Sequence, residues 1–172
     1  MDKYILGKEM IGFAGTIRGI VIEGCIMIER AIDLYLSSYF TYGNGKQKEL
    51  SHLLSRHITL ENKRAFYMDI IKMEAKDEYK MHKSDLARIV RIIEERNIIA
   101  HMELDISEVA MDKFQSTGVI QFIKYRKAIT AHEITDNMLA EFQENVPKAV
   151  KAMDIILNAS IRGWEEERNK PI

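Results

Sequence analysis

The sequence predicts a mainly α-helical protein, an antiparallel bundle of about five helices with a small β excursion between the last two. Apolar residues recur at the spacing of one helix face over most of the chain. Its 172 residues include two prolines, Pro147 and Pro171, which leaves little to interrupt helices. One stretch, Val119-Ile120-Gln121-Phe122-Ile123-Lys124-Tyr125-Arg126, is instead rich in β-branched and aromatic residues and predicts a strand, half of a small hairpin. A hydrophobic content of 47% beside a charged content of 30% describes an ordinary globular chain. The length predicts a single domain over residues 1–172, with its core in about 9–160 and a charged tail at 161–172.

Residues 9 to about 40 read as one long helix, hydrophobic nearly all round. Ile17, Val21, Ile28 and Tyr35 form one stripe, while Ile22, Ile26 and Leu36 occupy other sides, the pattern of a helix that is buried or shared with another chain. Gly12, Gly15, Gly19 and Gly24 each cost about 1 kcal/mol relative to alanine in a helix interior, so a tight packing contact is expected to compensate. Tyr42-Gly43-Asn44-Gly45 is a turn. Lys46 to His57 reads as a short helix around Leu50, Leu53 and Leu54. Thr59 is placed to cap a third helix carrying Leu60, Phe66, Ile70 and Met73. Lys76 to Lys83 reads as a polar connector, and Ser84 as the N-cap of the next helix, with Asp85 near its positive end. That helix presents Leu86, Ile89, Ile93 and Ala100 on one face, with Val90 and Ile92 on its flanks. After His101 the helical pattern lapses into the strand region. Thr135 then caps a final helix through Met138, Leu139, Phe142, Val146, Val150, Met153, Ile156 and Leu157. Pro147 is expected to kink it. The charged residues from Trp164 onward are expected to fray, unless Trp164 docks on the body.

Composition narrows the function. A net charge of −1 excludes a generally basic nucleic-acid binder, so any RNA site has to be a local patch. The single Cys25 rules out an intramolecular disulfide framework and suits a reducing cytosol, which gives a cytoplasmic expectation. Asp2, Lys3, Lys8 and Glu9 break up the first ten residues, unlike a secretory signal. Met10 to Ile28 has the length of a membrane span, but Arg18 and Glu23 interrupt it, and no membrane association is expected. His52 and His57 lack a cysteine or carboxylate at ligand spacing. Neither a metal site nor a Gly-rich phosphate loop is seen, so no cofactor is expected.

The chemistry gathers in Glu94-Glu95-Arg96-Asn97-Ile98-Ile99-Ala100-His101. At roughly 100° per residue, Arg96 falls within about 20–40° of the centre of its helix's apolar stripe. A guanidinium there has to meet a carboxylate, a phosphate or a partner subunit, because an isolated buried charge is costly. Glu23 and Glu29 are the candidate carboxylates. Asn97 and His101 are one turn apart and share a face beside the stripe, with Glu94 in the same row. Further along, Lys124, Tyr125, Arg126 and Lys127 offer cations and one stacking ring to a nucleic-acid backbone. The same residues also suit a lysine-bearing edge strand protected from aggregation.

Arg96-Asn97-x-x-x-His101 resembles the motif of HEPN-domain proteins, a helical family rich in metal-independent ribonucleases. The segment Ile28 to Phe40 is similar to the opening helix of such domains, and the resemblance covers roughly residues 9–160. It implies a HEPN-like bundle forming a two-fold homodimer, in which two motif helices meet in a shared groove. It further implies RNA cleavage by attack of a 2′-hydroxyl on the adjacent phosphorus. Histidine exchanges protons near neutral pH and arginine holds phosphate through paired donors. His101 would move the proton, Arg96 would stabilise charge on the phosphorane oxygens, and Asn97 would orient the ring or the phosphate. A toxin–antitoxin or defence role with a neutralising protein partner belongs to the same resemblance. One branch of the family carries tyrosine two residues after the histidine, and this chain has Glu103 there. The residues also fit a non-catalytic HEPN-like dimer that binds a nucleotide or a protein partner, with Arg96 serving only an internal ion pair.

Overall fold

The computed structural model describes residues 3–125 and 129–169. These form a mainly helical chain with a small antiparallel sheet, as the patterning predicts. In order they are α1 (Lys3–Thr41), α2 (Gln47–His57), α3 (Leu60–Glu74), α4 (Lys76–Met81), α5 (Lys83–His101), β1 (Glu103–Leu104), α6 (Glu108–Thr117), β2 (Ile120–Tyr125), β3 (Ile129–Ile134) and α7 (Asp136–Arg168). The expected count of about five helices rises to seven among the described residues. The polar connector Lys76–Lys83 contains the one-and-a-half-turn α4, and α5 starts at Lys83, so Ser84 lies inside the helix rather than capping it. Between β1 and β2 the chain makes α6, where helical pattern was not expected. Ser107 accepts a hydrogen bond from the Ala110 amide at its start, and Gly118, at φ 71°, ends it in the left-handed region that glycine adopts without strain.

The chain divides into two compact units, one from Met1–Cys25 with Arg91–Asn145, the other from Ile26–Val90 with Val146–Ile172. In the first unit, Leu6, Met10, Ala14, Ile17, Val21 and Cys25 form a buried stripe on α1 at intervals of three or four residues. They share a core with Ile92, Ile93, Ile99, Phe122, Ile134 and Phe142. The sheet runs β1-β2-β3, with Leu104 opposite Phe122 and Phe122 opposite His132. Phe122 is fully buried, so the sheet turns that face to the core. Thr135 caps α7 through the Met138 amide at 3.2 Å, as predicted. Within the chain, Gly12, Gly15 and Gly19 make no such close contact: each faces open space, with no atom of a neighbouring element within 4 Å of an added Cβ, whereas Gly24 is buried. The first three lie on the exposed side of α1 beside Ile11 and Ile22, which are 57% and 42% exposed. α1 is also long and apolar enough to cross a membrane by length and composition, although a third of the apolar window is buried.

In the second unit the buried face of α3 is Lys63, Tyr67, Ile70 and Ile71. Phe66 and Met73, expected inside, are exposed, because the lysine takes the core position that apolar periodicity would not assign to it. The Lys63 side chain has no exposure at all. Its Nζ donates to Glu29 Oε1 at 2.7 Å and to Asp33 Oδ2 at 2.9 Å. It also lies 2.8 Å from Asp33 Oδ1, an ion contact whose direction is not that of a hydrogen bond. Glu29 and Asp33 are one turn apart on α1, so two carboxylates flank one ammonium. Burial pushes the Asp33 carboxyl above its ordinary range, against the opposing effect of its hydrogen bond from Lys63. Around this pair, Tyr35 stacks edge-on against Tyr67 at 5.0 Å and its hydroxyl meets Ser160 at 3.2 Å. Trp164 contacts the rings of Tyr35, Tyr39 and Tyr42, and α7 continues to Arg168, so Trp164 docks and the chain is helical rather than frayed as far as Arg168. α7 also remains one helix through Pro147.

Replacing Lys63 by methionine should cost about 3–5 kcal/mol, because two carboxylates then face a buried apolar group. Asp33→Asn should cost less, since Glu29 still balances the ammonium. Asp33 holds its proton to higher pH in the folded protein than in the unfolded chain. Its contribution is therefore present at low pH and is lost as pH rises through the raised folded value. Urea midpoints measured across the weakly acidic range should fall less steeply with rising pH in Asp33→Asn than in the parent.

Candidate functional site

The motif lies on the last three turns of α5, within the first unit. Ile92, Ile93 and Ile99 are buried, and Arg96 takes the next place on the same stripe as a half-buried residue. Ala100, expected on that face, is exposed, and Ile99 fills the core in its stead. The Arg96 guanidinium donates from Nη1 to Asn97 Oδ1 at 3.1 Å. Among the described residues no carboxylate lies within ion-pair distance of it. Glu29, one candidate, is engaged by Lys63, and Glu23, the other, is exposed. The expected internal pair is therefore absent among the described residues. Among the described residues its one hydrogen bond uses a single one of the five guanidinium N–H donors.

Asn97 and His101 are both exposed and one helical turn apart. His101 is the last residue of α5, immediately before Met102 and β1. The amide of Asn97 thus bridges two directions on the helix: its oxygen holds Arg96, and its position is one turn below the imidazole. Glu94 is exposed on the same side, and Glu103 is exposed on β1 opposite Ile123. Lys124 is half-buried on β2 opposite Thr130. The side chain of Tyr125, together with Arg126 and Lys127, lies outside the described residues. Among the described residues no group of three or more histidine, cysteine, aspartate or glutamate side chains converges.

Two contributors escaped the sequence reading. Arg18 donates from Nε to the Ile99 carbonyl at 3.4 Å and from Nη2 to the Met102 carbonyl at 3.0 Å. Its guanidinium also stands 5.1 Å from the Phe122 ring centre. A cation on the orphan carbonyls at a helix C-terminus complements the negative end of the dipole and fixes the joint between α5 and β1. This joint carries His101. The available signal is that Arg18 interrupts an apolar run and follows the buried Ile17; in the sequence alone its charge argues only against a membrane span. The second is Glu95, half-buried in an apolar pocket with Ile17, Val21, Ile99, Met138 and Phe142. Burial pushes its carboxyl up, with Arg91 at 3.3 Å opposing. Arg91 also reaches Glu141 on α7 at 3.4 Å.

Removal of the Arg18 side chain should loosen the last turn of α5 more than the rest of the unit. Arg18→Ala is expected to cost about 1–2 kcal/mol, and Arg18→Lys to recover part of this because a single ammonium cannot span both carbonyls. Hydrogen exchange should show faster exchange at the α5–β1 joint in Arg18→Ala; uniform exchange across the chain would count against the capping role.

We compared the chain with protein-family models, with curated proteins and with solved structures, and none of the three comparisons found a match.

Proposed function

We propose that the protein is a metal-independent endoribonuclease of the HEPN type, acting through Arg96, Asn97 and His101. The observation that carries this reading is the half-buried Arg96 guanidinium, which bonds Asn97 and, among the described residues, meets no carboxylate. A partly desolvated cation with open planar donors suits a phosphate, whose oxygens accept the fork bidentately. An exposed imidazole one turn beyond the bridging amide supplies the proton carrier.

In the proposed reaction the RNA 2′-hydroxyl attacks the adjacent phosphorus. His101 takes the hydroxyl proton as the O–P bond forms, and the bond to the 5′-oxygen breaks. A proton returns to that oxygen, leaving a 2′,3′-cyclic phosphate and a 5′-hydroxyl. Arg96 stabilises the charge that builds on the non-bridging oxygens. One imidazole cannot be base and acid at the same moment, so the second proton carrier is His101 of a second copy. The exposed face of α1 with Ile11, Gly12, Gly15, Gly19 and Ile22 supports a homodimer, because close backbone approach and apolar area are both offered there.

His101→Ala should abolish cleavage in EDTA while changing stability by only about 0–1 kcal/mol, since the side chain is exposed. Arg96→Met is the sharper test. It keeps the packing stem and removes an uncompensated charge, so the melting temperature should hold or rise while cleavage falls by about 100-fold or more. Arg96→Lys should also lose most activity. A wild type that binds RNA without cutting it would make these residues a binding module instead, and a parent activity that survives His101→Ala would place the chemistry elsewhere.

The assembly is checked separately by light scattering at tens of micromolar. The expected result is a dimer, converted to a monomer by Gly15→Arg, whose side chain has room in a single chain because no atom lies within 4 Å of the added Cβ. A parent that stays monomeric would remove the shared-groove mechanism.

A further inference from the structure

The antiparallel register of the first unit's sheet carries Lys124 to the joint that holds His101. Glu103 lies opposite Ile123 and Leu104 opposite Phe122, so the same register sets Met102 beside Lys124, one strand spacing away. Met102 follows His101 directly, and its carbonyl accepts from Arg18 Nη2 at 3.0 Å. Alternation along β2 puts Lys124 on the face of Phe122, and the Arg18 guanidinium stands 5.1 Å from the centre of that ring. We propose that Lys124 binds the RNA phosphate next to the scissile one, so that the substrate is an RNA chain presenting at least two consecutive phosphates. The proposal rests on the reading of Arg96, Asn97 and His101 as the cleavage site.

The support is the distribution of charge over the sheet. Lys124 is half-buried, and among the described residues its ammonium makes no ion pair or hydrogen bond. Arg18, also half-buried, meets the carbonyls of Ile99 and Met102 and the Phe122 ring. The two glutamates described on the sheet stand on the opposite face. Glu103 is across from Ile123, and Glu133, across from Gln121, is bound by Lys113 of α6 at 2.6 Å. Glu95 and Asp105, before and after the joint, are engaged by Arg91 and by the Ser107 amide. The face of Lys124 therefore gathers two partly desolvated cations with no carboxylate at ion-pair distance among the described residues. Like charges so placed repel, and each keeps its desolvation cost, so an anion there relieves both. Position decides which anion. A chain with its scissile phosphate at the end of α5 and running on past Met102 brings its next phosphate within reach of the lysine stem. Lysine suits that task as a point charge on a flexible arm, whereas the planar fork of Arg96 suits the reacting phosphate. A phosphate held away from the reaction is bound equally in ground state and transition state, so its loss appears in KM rather than in kcat.

The test begins with fluorescence anisotropy of labelled octauridylate against salt, using the His101→Ala chain so that the RNA stays whole. Adding Lys124→Gln should weaken binding about tenfold at low salt and lower the slope of log affinity on log salt by about 0.7, the value of one single-strand phosphate contact. Lys124→Arg keeps the charge and should retain the slope. Lys151→Gln removes an equal charge from an exposed position on α7 and should also leave the slope unchanged. Cleavage kinetics follow in the chain that keeps His101. There Lys124→Gln should raise KM about tenfold with kcat nearly unchanged. On an octanucleotide whose two phosphates flanking the mapped cut are neutral methylphosphonates, the parent and Lys124→Gln should cut alike. An unchanged salt slope in Lys124→Gln overturns the proposal, as does an equal change in Lys151→Gln. So does a loss of cleavage that persists in full on the methylphosphonate substrate. A protein that binds with the Lys124-dependent slope and cuts nothing refutes the cleavage reading and supports Lys124 as a phosphate contact; a protein that binds no RNA refutes both.

Discussion

The second unit depends on an ammonium group that never meets water. Lys63 is wholly enclosed, and its burial is tolerable because two carboxylates one turn apart on α1 close on it at 2.7 and 2.9 Å. An isolated charge in that place would cost many times the net stability of a domain. The triad therefore fixes three things together: the rotation of α3 about its axis, the register of α3 along α1, and the exposure of Phe66 and Met73 on the far side. Burial lifts the Asp33 carboxyl above its ordinary range, and the hydrogen bond from Lys63 opposes that lift.

Arg96 is the contrasting case. It too occupies a stripe position on its helix, but it keeps partial exposure, and its recorded partner is a neutral amide. Arginine differs from lysine in being weakly hydrated and planar, so a half-buried guanidinium with donors still open is less costly than an ammonium would be. The structure thus spends two carboxylates on one buried cation and withholds them from the other. A fold that balanced every charge for stability alone would have little reason to leave Arg96 so. That asymmetry, more than the spacing of Arg96 and His101, is what the proposal of an anionic ligand at the end of α5 rests on.

The joint after α5 depends on a different cation. Arg18 comes from the middle of α1 and holds the carbonyls of Ile99 and Met102, while its face rests on Phe122. A helix end, a strand and the first helix are linked by one side chain, and His101 sits at the point so fixed. The result is a site whose local rigidity comes from a residue some eighty positions away in sequence.

The helices and their faces were legible in the sequence where apolar periodicity was uninterrupted. The Ile17–Val21–Ile28–Tyr35 stripe, the Thr59 and Thr135 caps, the turn at Gly43 and Gly45, and β2 all follow from local rules. So did the half-buried place of Arg96, since its angle about the helix axis depends only on residue spacing. What the sequence could not decide was pairing across distance. Periodicity treats lysine as a surface residue, so of the α3 residues it picks out Ile70 is buried while Phe66 and Met73 are exposed; only the meeting of Lys63 with Glu29 and Asp33 makes the core position favourable. It likewise treats Arg18 as an interruption, whereas that side chain caps α5, and it does not tell the buried Gly24 from Gly12, Gly15 and Gly19, which face open space within the chain. Local chemistry sets what each segment forms, because hydrogen bonding and side-chain period act over a few residues. Which charge finds which counter-charge is a property of the folded chain, because residues thirty or eighty positions apart have to be brought within 3 Å before it exists.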